Sequence, residues 1–418
     1  MTDTNTPTDL APTNFSKGQR ILSGMRPTGW LHLGHYHGVL ENWVRLQHDN
    51  ACFFFVADWH ALTTHYEDPR GLAQHTRDMV IDWLAAGLDP EKATLFVQSA
   101  LPEHAELHVL LSMGTPLSWL ERVPTYKDQQ EKLREKDLAT YGFLGYPLLQ
   151  SADILLYRAD QVPVGADQVS HVELTREVAR RFNHLYGREP DAAERLTALL
   201  GTLDKETVKK YQRLARKFQE KGDSEALHYG QLLVNQLSGL SDADRERLRG
   251  GLDGSGRIIL PEPQALLTEA SKMPGLDGLK MSKSYGNTIS LRESPEQVRD
   301  KLKKMPTDPA RVRRTDPGNP EHCPVFQLHE VYSSESTRQW VCQGCTTASI
   351  GCLECKEPVI QAINDMLIPM RERAEPFEQD PAHLQRILSR GNERARAVAQ
   401  ETLRDVREAM GLIGSWSS

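Results

Sequence analysis

Cys52-Phe53-Phe54-Phe55-Val56 sets the tightest limit on how this 418-residue chain can fold. An apolar run without polar alternation suits a strand buried on both faces, and such strands belong to parallel sheets flanked by helices. Cys52 reads as a small core residue within it. Around this run, residues 18–187 alternate short apolar stretches with helical spacing, the mark of an α/β sheet. Strands are expected at Arg20–Ser23, Cys52–Ala57, Thr94–Gln98 and Val162–Val164, and helices at about 34–48, 69–87, 103–112, 146–158 and 167–186. Ligands of such sheets bind beyond the carboxyl ends of the strands. Arg26–His35, Asp58–His60 and Gly165–Gln168 are therefore expected to meet in one crevice.

The length calls for more than one domain. Residues 1–17, rich in Thr, Pro, Asp and Asn, read as a disordered tail without the basic start and apolar run of a signal peptide. No stretch is apolar for long enough to span a bilayer, and a cytoplasmic protein is expected. Residues 188–258 form a charged helical insertion, and 259–290 return to the α/β domain. Residues 291–418 are helical, with spacing clearest at 294–304, 356–374 and 381–411. The formal net charge is −7, so a nucleic-acid partner would have to meet a local basic patch. Lys205–Lys221 reads as a solvated basic helix. The cation-rich Lys301–Arg314 is the better candidate for facing phosphate.

Four groups carry chemistry. In Ile21–Tyr36 an apolar strand runs through Pro27-Thr28-Gly29 into a helix opened by His32-Leu33-Gly34-His35. Free backbone N–H groups at such a turn can seat a phosphate, although a polar helix start would look the same. Downstream, Lys280-Met281-Ser282-Lys283-Ser284 lies between glycine-containing segments, where lysines can act as point charges on a leaving polyphosphate. Asp153 stands in the apolar run Ala152–Leu156, where a buried carboxylate needs a partner. Five of the six cysteines lie between 323 and 355, which suggests a metal rather than disulfides. Cys342, Cys345, Cys352 and Cys355 would suit a structural zinc. Cys323, Cys345, Cys352 and Cys355 would suit a [4Fe–4S] cluster. Spacing alone does not separate the two.

The pair His32–His35 and Lys280–Ser284 resembles the two signature motifs of class I aminoacyl-tRNA synthetases. Gly145–Tyr157 resembles the amino-acid-binding helix of bacterial tryptophanyl-tRNA synthetases. So does Val162–Gln168, continuing through His171, Glu173, Leu174 and Arg176 to Arg181-Phe182-Asn183. The resemblance runs from about Ile21 to Gly411, with 188–258 an insertion absent from compact members. It implies an α/β, Rossmann-like class I catalytic domain at 18–187, completed by 259–290. An all-helical anticodon-binding domain at 291–418 would follow.

By that resemblance, ATP and tryptophan form tryptophanyl-adenylate, and the amino acid passes to tRNA(Trp). His32 and His35 would donate to the α-phosphate, and Lys280 and Lys283 to the departing phosphates. Arg26, Pro27, Thr28, Gly34, His35, Gly165, Ala166 and Asp167 would frame the nucleotide together with Met281, Ser282 and Ser284, with Asp167 near the ribose. Mg2+ would sit on the phosphates of ATP. Asp153 would accept the indole N–H, a penalty on any side chain without a donor. Tyr146 and Gln168 would hold the ammonium and carboxylate end.

Many relatives carry asparagine at His35 and glutamine at Arg26. Gln150 also fits the tyrosyl enzymes, which leaves tyrosine as the alternative substrate. A catalytically dead regulator is the non-enzymatic alternative, although every phosphate-handling residue is present. A subset of bacterial tryptophanyl enzymes holds a [4Fe–4S] cluster on cysteines spaced like Cys323, Cys345, Cys352 and Cys355. A homodimer, with neither DNA nor membrane as partner, is also implied.

Overall fold

The computed structural model describes residues 18–123, 140–187, 191–221, 223–254, 257–268 and 273–412. The tail 1–17 and parts of the insertion and of 259–290 lie outside them. Five parallel strands form one sheet: β1 (Arg20–Met25), β2 (Ala51–Val56), β3 (Thr94–Val97), β4 (Gln161–Val164) and β5 (Gln264–Leu267), in the order β3-β2-β1-β4-β5. Strand order reverses between β1 and β4, the place where a crevice opens in a Rossmann-like sheet.

Alternate residues of β2 enter opposite cores. Phe54 and Val56 join Ile21, Trp43, Trp83 and Leu95 on one face, while Phe53 and Phe55 join Leu22, Phe96 and Tyr157 on the other. That is the two-sided burial expected of Cys52–Val56, and Cys52 itself is buried. Crossover helices cover both faces: α1 (Leu72–Ala86), α2 (Glu103–Ser112), α3 (Tyr141–Leu156) and α4 (Val169–Tyr186). The helical carboxy-terminal region ends in the long helices α5 (Cys352–Gln379) and α6 (Pro381–Ala409). Val359, Ile363 and Leu367 of α5 share the core of Trp83. Ala395, Ala399 and Leu403 of α6 share that of Phe96. The insertion has a core of its own around Tyr211, Val234, Leu248 and Leu252. No described helix is long and apolar enough to cross a membrane.

Several elements differ from the sequence-based expectation. β5 was not foreseen: its four residues follow Pro261 and Pro263, and only pairing with β4 makes them a strand. α3 begins at Tyr141, where Thr140 caps the Phe143 N–H, and carries Pro147 inside it rather than at its start. The helix opened by Leu33–His35 passes through a π-helical turn, Tyr36–Leu40, before Glu41–Leu46. Asp58–His65, directly after β2, is helical, as are Pro324–Tyr332 and Glu335–Thr346.

β3 is an edge strand, and α6 covers it. Asn392 Oδ1 accepts the Val97 N–H at 3.0 Å, and a Cβ built on Gly391 would overlap the Leu95 carbonyl oxygen. Backbone cannot yield as a flexible side chain can. Gly391→Ala is expected to destabilise the fold by at least about 1–3 kcal/mol, the usual cost of overpacking, read as a lowered midpoint in thermal or urea unfolding.

Candidate active site

A cavity of about 490 Å³ opens at the β1/β4 switch point. Arg26, Gly34 and His35 border it from the end of β1, His60 from the end of β2, and Gly165 and Gln168 from the end of β4, as expected. Tyr146, Gln150 and Asp153 of α3 enter from the side, and Lys280 from the loop after β5. Pro27, Thr28, His32, Ala166, Asp167, Met281, Ser282, Lys283 and Ser284 do not border the cavity. They sit in the same turns around its mouth. Asp58 turns inward instead, accepting the Ser99 N–H at 3.0 Å and the Ser99 hydroxyl.

At the mouth the two motifs expected to handle phosphate are tied together. Leu31–Leu33 lies antiparallel to Ile289–Leu291, with the Leu33 N–H donating to Ile289 O and the Leu291 N–H to Leu31 O, both at 3.0 Å. Lys283 Nζ donates to Thr28 O at 2.9 Å, Thr28 Oγ1 at 3.0 Å and Gly29 O at 3.1 Å. Asn287 braces the loop, accepting the Ser282 N–H at 2.8 Å and donating to Asp277 at 2.7 Å and to Lys280 O at 3.2 Å. Met281 is buried, with its Cβ 3.6 Å from where a Cβ on Gly34 would stand. Behind the turn, Asp82 accepts the Leu31 N–H at 2.6 Å and Arg292 Nε at 2.6 Å. Arg292 also pairs with Asp78 and with Glu378 of α5, and lies over the Trp30 ring.

The imidazoles of His32 and His35 lie 3.8 Å apart, centroid to centroid. Burial and the Lys283 charge bring His32 down to about 4. Burial, His32 and Lys283 bring His35 down to about 3. Both are neutral at physiological pH and serve as hydrogen-bond groups rather than cations. His32 Nδ1 is buried without a partner among the described residues. Burial lowers Lys283 to about 8, against the Asp82 charge, so it is still largely protonated at pH 7.

At the floor, Asp153 is fully buried. It accepts from His60 Nε2 at 2.7 Å, His104 Nδ1 at 2.7 Å and Gln98 Nε2 at 2.8 Å. Burial alone would raise its carboxyl, but the bonds from His104 and His60 outweigh it and hold the group below its ordinary value. His60 belongs to the Asp58–His60 segment expected at the crevice, although with no role assigned, while Gln98 and His104 were not singled out in the sequence. Only their places beyond β3 could have flagged them. Gln150 Oε1 meets His171 Nδ1 at 2.7 Å, so its carbonyl is engaged away from Asp153. Gln168 lies on the rim, donating to Asp167 at 3.1 Å.

Cys323, Cys345, Cys352 and Cys355 lie close enough for their charges to act on one another. Cys342 is raised by burial first and then by the Glu335 and Glu330 charges. Burial, then the other three cysteines, pushes Cys355 up to about 12. Arg311 Nη1 stands 3.8 Å from Cys345 Sγ, and its buried Nε has no partner among the described residues. Also among those residues, no three His, Cys, Asp or Glu side chains are grouped to hold a metal ion. In the Lys301–Arg314 run, Lys303, Lys304 and Arg313 are exposed, and the other cations are engaged with the protein. Lys301 pairs with Glu293, Arg314 with Glu354, and Arg311 is buried against the Arg314 and Ile350 carbonyls.

The fold and mouth geometry are those of a class I tRNA synthetase, and the comparisons agree. The model of the family "tRNA synthetases class I (W and Y)" matches residues 15–233 and 238–368, and the chain belongs to that family. A tryptophan–tRNA ligase of Ralstonia nicotianae is 64% identical over 397 residues, covering 95% of this chain and 99% of the relative. One from Thermotoga maritima is 46% identical, covering 94% and 99%. Among solved structures, tryptophanyl-tRNA synthetase from Campylobacter jejuni with ADP and tryptophan superposes with a TM-score of 0.71 at 28% identity, covering 94% of this chain and 99% of that one.

Depressed histidines make a pH signature. His171, like His32 and His35, is lowered by burial, to about 4. Each is neutral when folded but takes a proton near pH 6.5 when unfolded, so its contribution is present above pH 6.5 and lost as pH falls toward 4. Asp82, raised to about 6 by burial, opposes them. With His329, also lowered by burial to about 4, the unfolded chain should bind about three more protons than the folded one near pH 5. The unfolding midpoint is expected to drop steadily from pH 7 to pH 4.5, and a flat profile there would remove the buried-neutral assignment.

Proposed function

We propose that this protein attaches L-tryptophan to tRNA(Trp) in two steps, the first of which consumes ATP. The observation that carries the reading is Asp153, a fully buried acceptor at the floor of the cavity. The tryptophan–tRNA ligases at 64% and 46% identity support it. In the first step a tryptophan carboxylate oxygen attacks the α-phosphorus of ATP. The bond to the β-phosphate bridging oxygen breaks, and pyrophosphate leaves with Mg2+. Little covalent work falls to the protein; it must align two anions and stabilise spreading charge. In the second, a terminal ribose hydroxyl of the tRNA attacks the activated carbonyl and AMP departs.

His32 and His35 act as neutral donors to the α-phosphate, a role that the orphaned His32 Nδ1 supports. Lys283 exchanges the Thr28 and Gly29 carbonyls for the departing phosphates, with Lys280 beside it. Arg26, Gly34 and Gly165 frame the nucleotide, with Asp167 at the ribose. Tyr146 and Gln168 hold the amino-acid backbone. The engagement of Gln150 with His171 favours tryptophan over tyrosine. Pyrophosphate exchange should run faster with tryptophan than with tyrosine. Lys283→Ala should slow it about 10²–10³-fold with tryptophan affinity nearly unchanged. Faster exchange with tyrosine would reverse the substrate assignment.

We further propose that Cys323, Cys345, Cys352 and Cys355 hold a [4Fe–4S] cluster. Their mutual coupling without Cys342 supports this set, as does the Arg311 guanidinium beside Cys345. When bound, the cluster would tie the segments before and within α5 together through thiolate ligation. Protein purified without oxygen should be brown, with about four irons and matching sulfide per chain. Colourless protein with one zinc would move the site to Cys342, Cys345, Cys352 and Cys355. A cytoplasmic homodimer completes the proposal. Exposed Val109, Met113 and Leu117 on and just after α2 support a subunit contact there.

A further inference from the structure

Behind the cavity floor lies a buried polar chain that neither substrate can touch. His104 is fully buried, with Nδ1 2.7 Å from Asp153 Oδ1 and Nε2 2.8 Å from the Tyr157 hydroxyl. Tyr157 is fully buried as well. We propose that His104 and Tyr157 are positioning residues that fix which lone pair of Asp153 is offered to the substrate side chain. The inference rests on the reading of Asp153 as the acceptor of the indole N–H.

The proton inventory forces a direction on the chain. An ionised carboxylate only accepts, so His104 Nδ1 carries the hydrogen. Nε2 on the far side of the ring lies 2.8 Å from the Tyr157 hydroxyl, whose O–H is placed to bond it, and that contact fixes the ring's orientation. Burial, with Asp153 and Glu103 nearby, raises the Tyr157 phenol well above its usual value, which keeps that proton in place.

Counting lone pairs gives the consequence. A carboxylate accepts about four hydrogen bonds, two at each oxygen. Oδ1 takes both of its bonds from behind, from His104 and Gln98 at 2.7 and 2.8 Å. Oδ2 takes one, from His60 at 2.7 Å. One site on Oδ2 is left, and His60 and Asp153 both border the cavity. The two bonds on Oδ1 also stop the carboxylate from turning about its own axis. Around them, Phe55 and Phe96 each lie with ring centroids 6.0 Å from His104, and Phe96 lies 5.1 Å from Tyr157. The chain is held in an aromatic box. The site therefore selects an in-plane donor, and it should reject an isostere that lacks one.

The test is pyrophosphate exchange with tryptophan and with its benzothiophene analogue, where sulfur replaces the indole N–H. Wild-type enzyme should favour tryptophan strongly. If it does not, the reading of Asp153 falls, whatever the variants do. His104→Leu should raise KM for tryptophan more than tenfold and shrink the discrimination. His104→Asn, which can still donate to Oδ1, should restore most of both. Tyr157→Phe, isosteric and the safer variant for folding, should raise KM for tryptophan about three- to tenfold. KM for ATP should stay unchanged and kcat should move less than KM. If wild-type discrimination holds but Tyr157→Phe retains it in full, or His104→Asn does no better than His104→Leu, the positioning role is overturned and Asp153 keeps its own.

Discussion

The antiparallel clasp between Leu31–Leu33 and Ile289–Leu291 is the contact on which the rest of the site depends. Two backbone hydrogen bonds bring together segments more than 250 residues apart. Through them, the loop carrying Lys280 and Lys283 is placed against the helix opened by His32 and His35. The clasp stays where it is because its neighbours are anchored. Asp82 of α1 receives the Leu31 N–H, and Arg292, one residue beyond the clasp, reaches Asp82, Asp78 and Glu378. A buried charge of this kind is stable only when all of its partners are in place. The same guanidinium that braces the turn also joins it to α5.

Floor and mouth use opposite physical means. At the mouth the groups are kept weakly basic: burial holds His32 and His35 neutral, and Lys283 rests on backbone carbonyls of the facing turn. Little is fixed there except position. At the floor, Asp153 is held by three donors, the buried Gln98 and His104 and the half-buried His60. Chemistry that moves charge benefits from groups able to change partners. Recognition of a single N–H benefits from one that is fixed.

The layout of the fold was legible because burial on both faces leaves a plain mark, as in Cys52–Val56. The strand-turn-helix at Ile21–Tyr36 and the loop at Lys280–Ser284 were legible because phosphate chemistry restricts residue types. β5 was not, since Gln264–Leu267 has neither length nor alternation and becomes a strand only beside β4. His104 and Gln98 were invisible for a related reason: a buried polar residue shows its purpose only through partners distant in sequence. The cysteines lie between these cases. Their spacing allows two sets of four, and the described residues group no three metal-ligating side chains that would choose between them.

The crossing of α6 over β3 bears on how the chain reaches this state. Asn392, which satisfies the Val97 N–H, lies 295 positions further along the chain. During synthesis, β1, β2 and β3 are available long before the helix that closes their edge. For that interval the backbone of β3 offers an open template to any extended segment, including the same strand of a neighbouring nascent chain. Gly391 and Asn392 thus act as a late seal, and the exposure that they end is one of time during assembly rather than of place in the finished molecule.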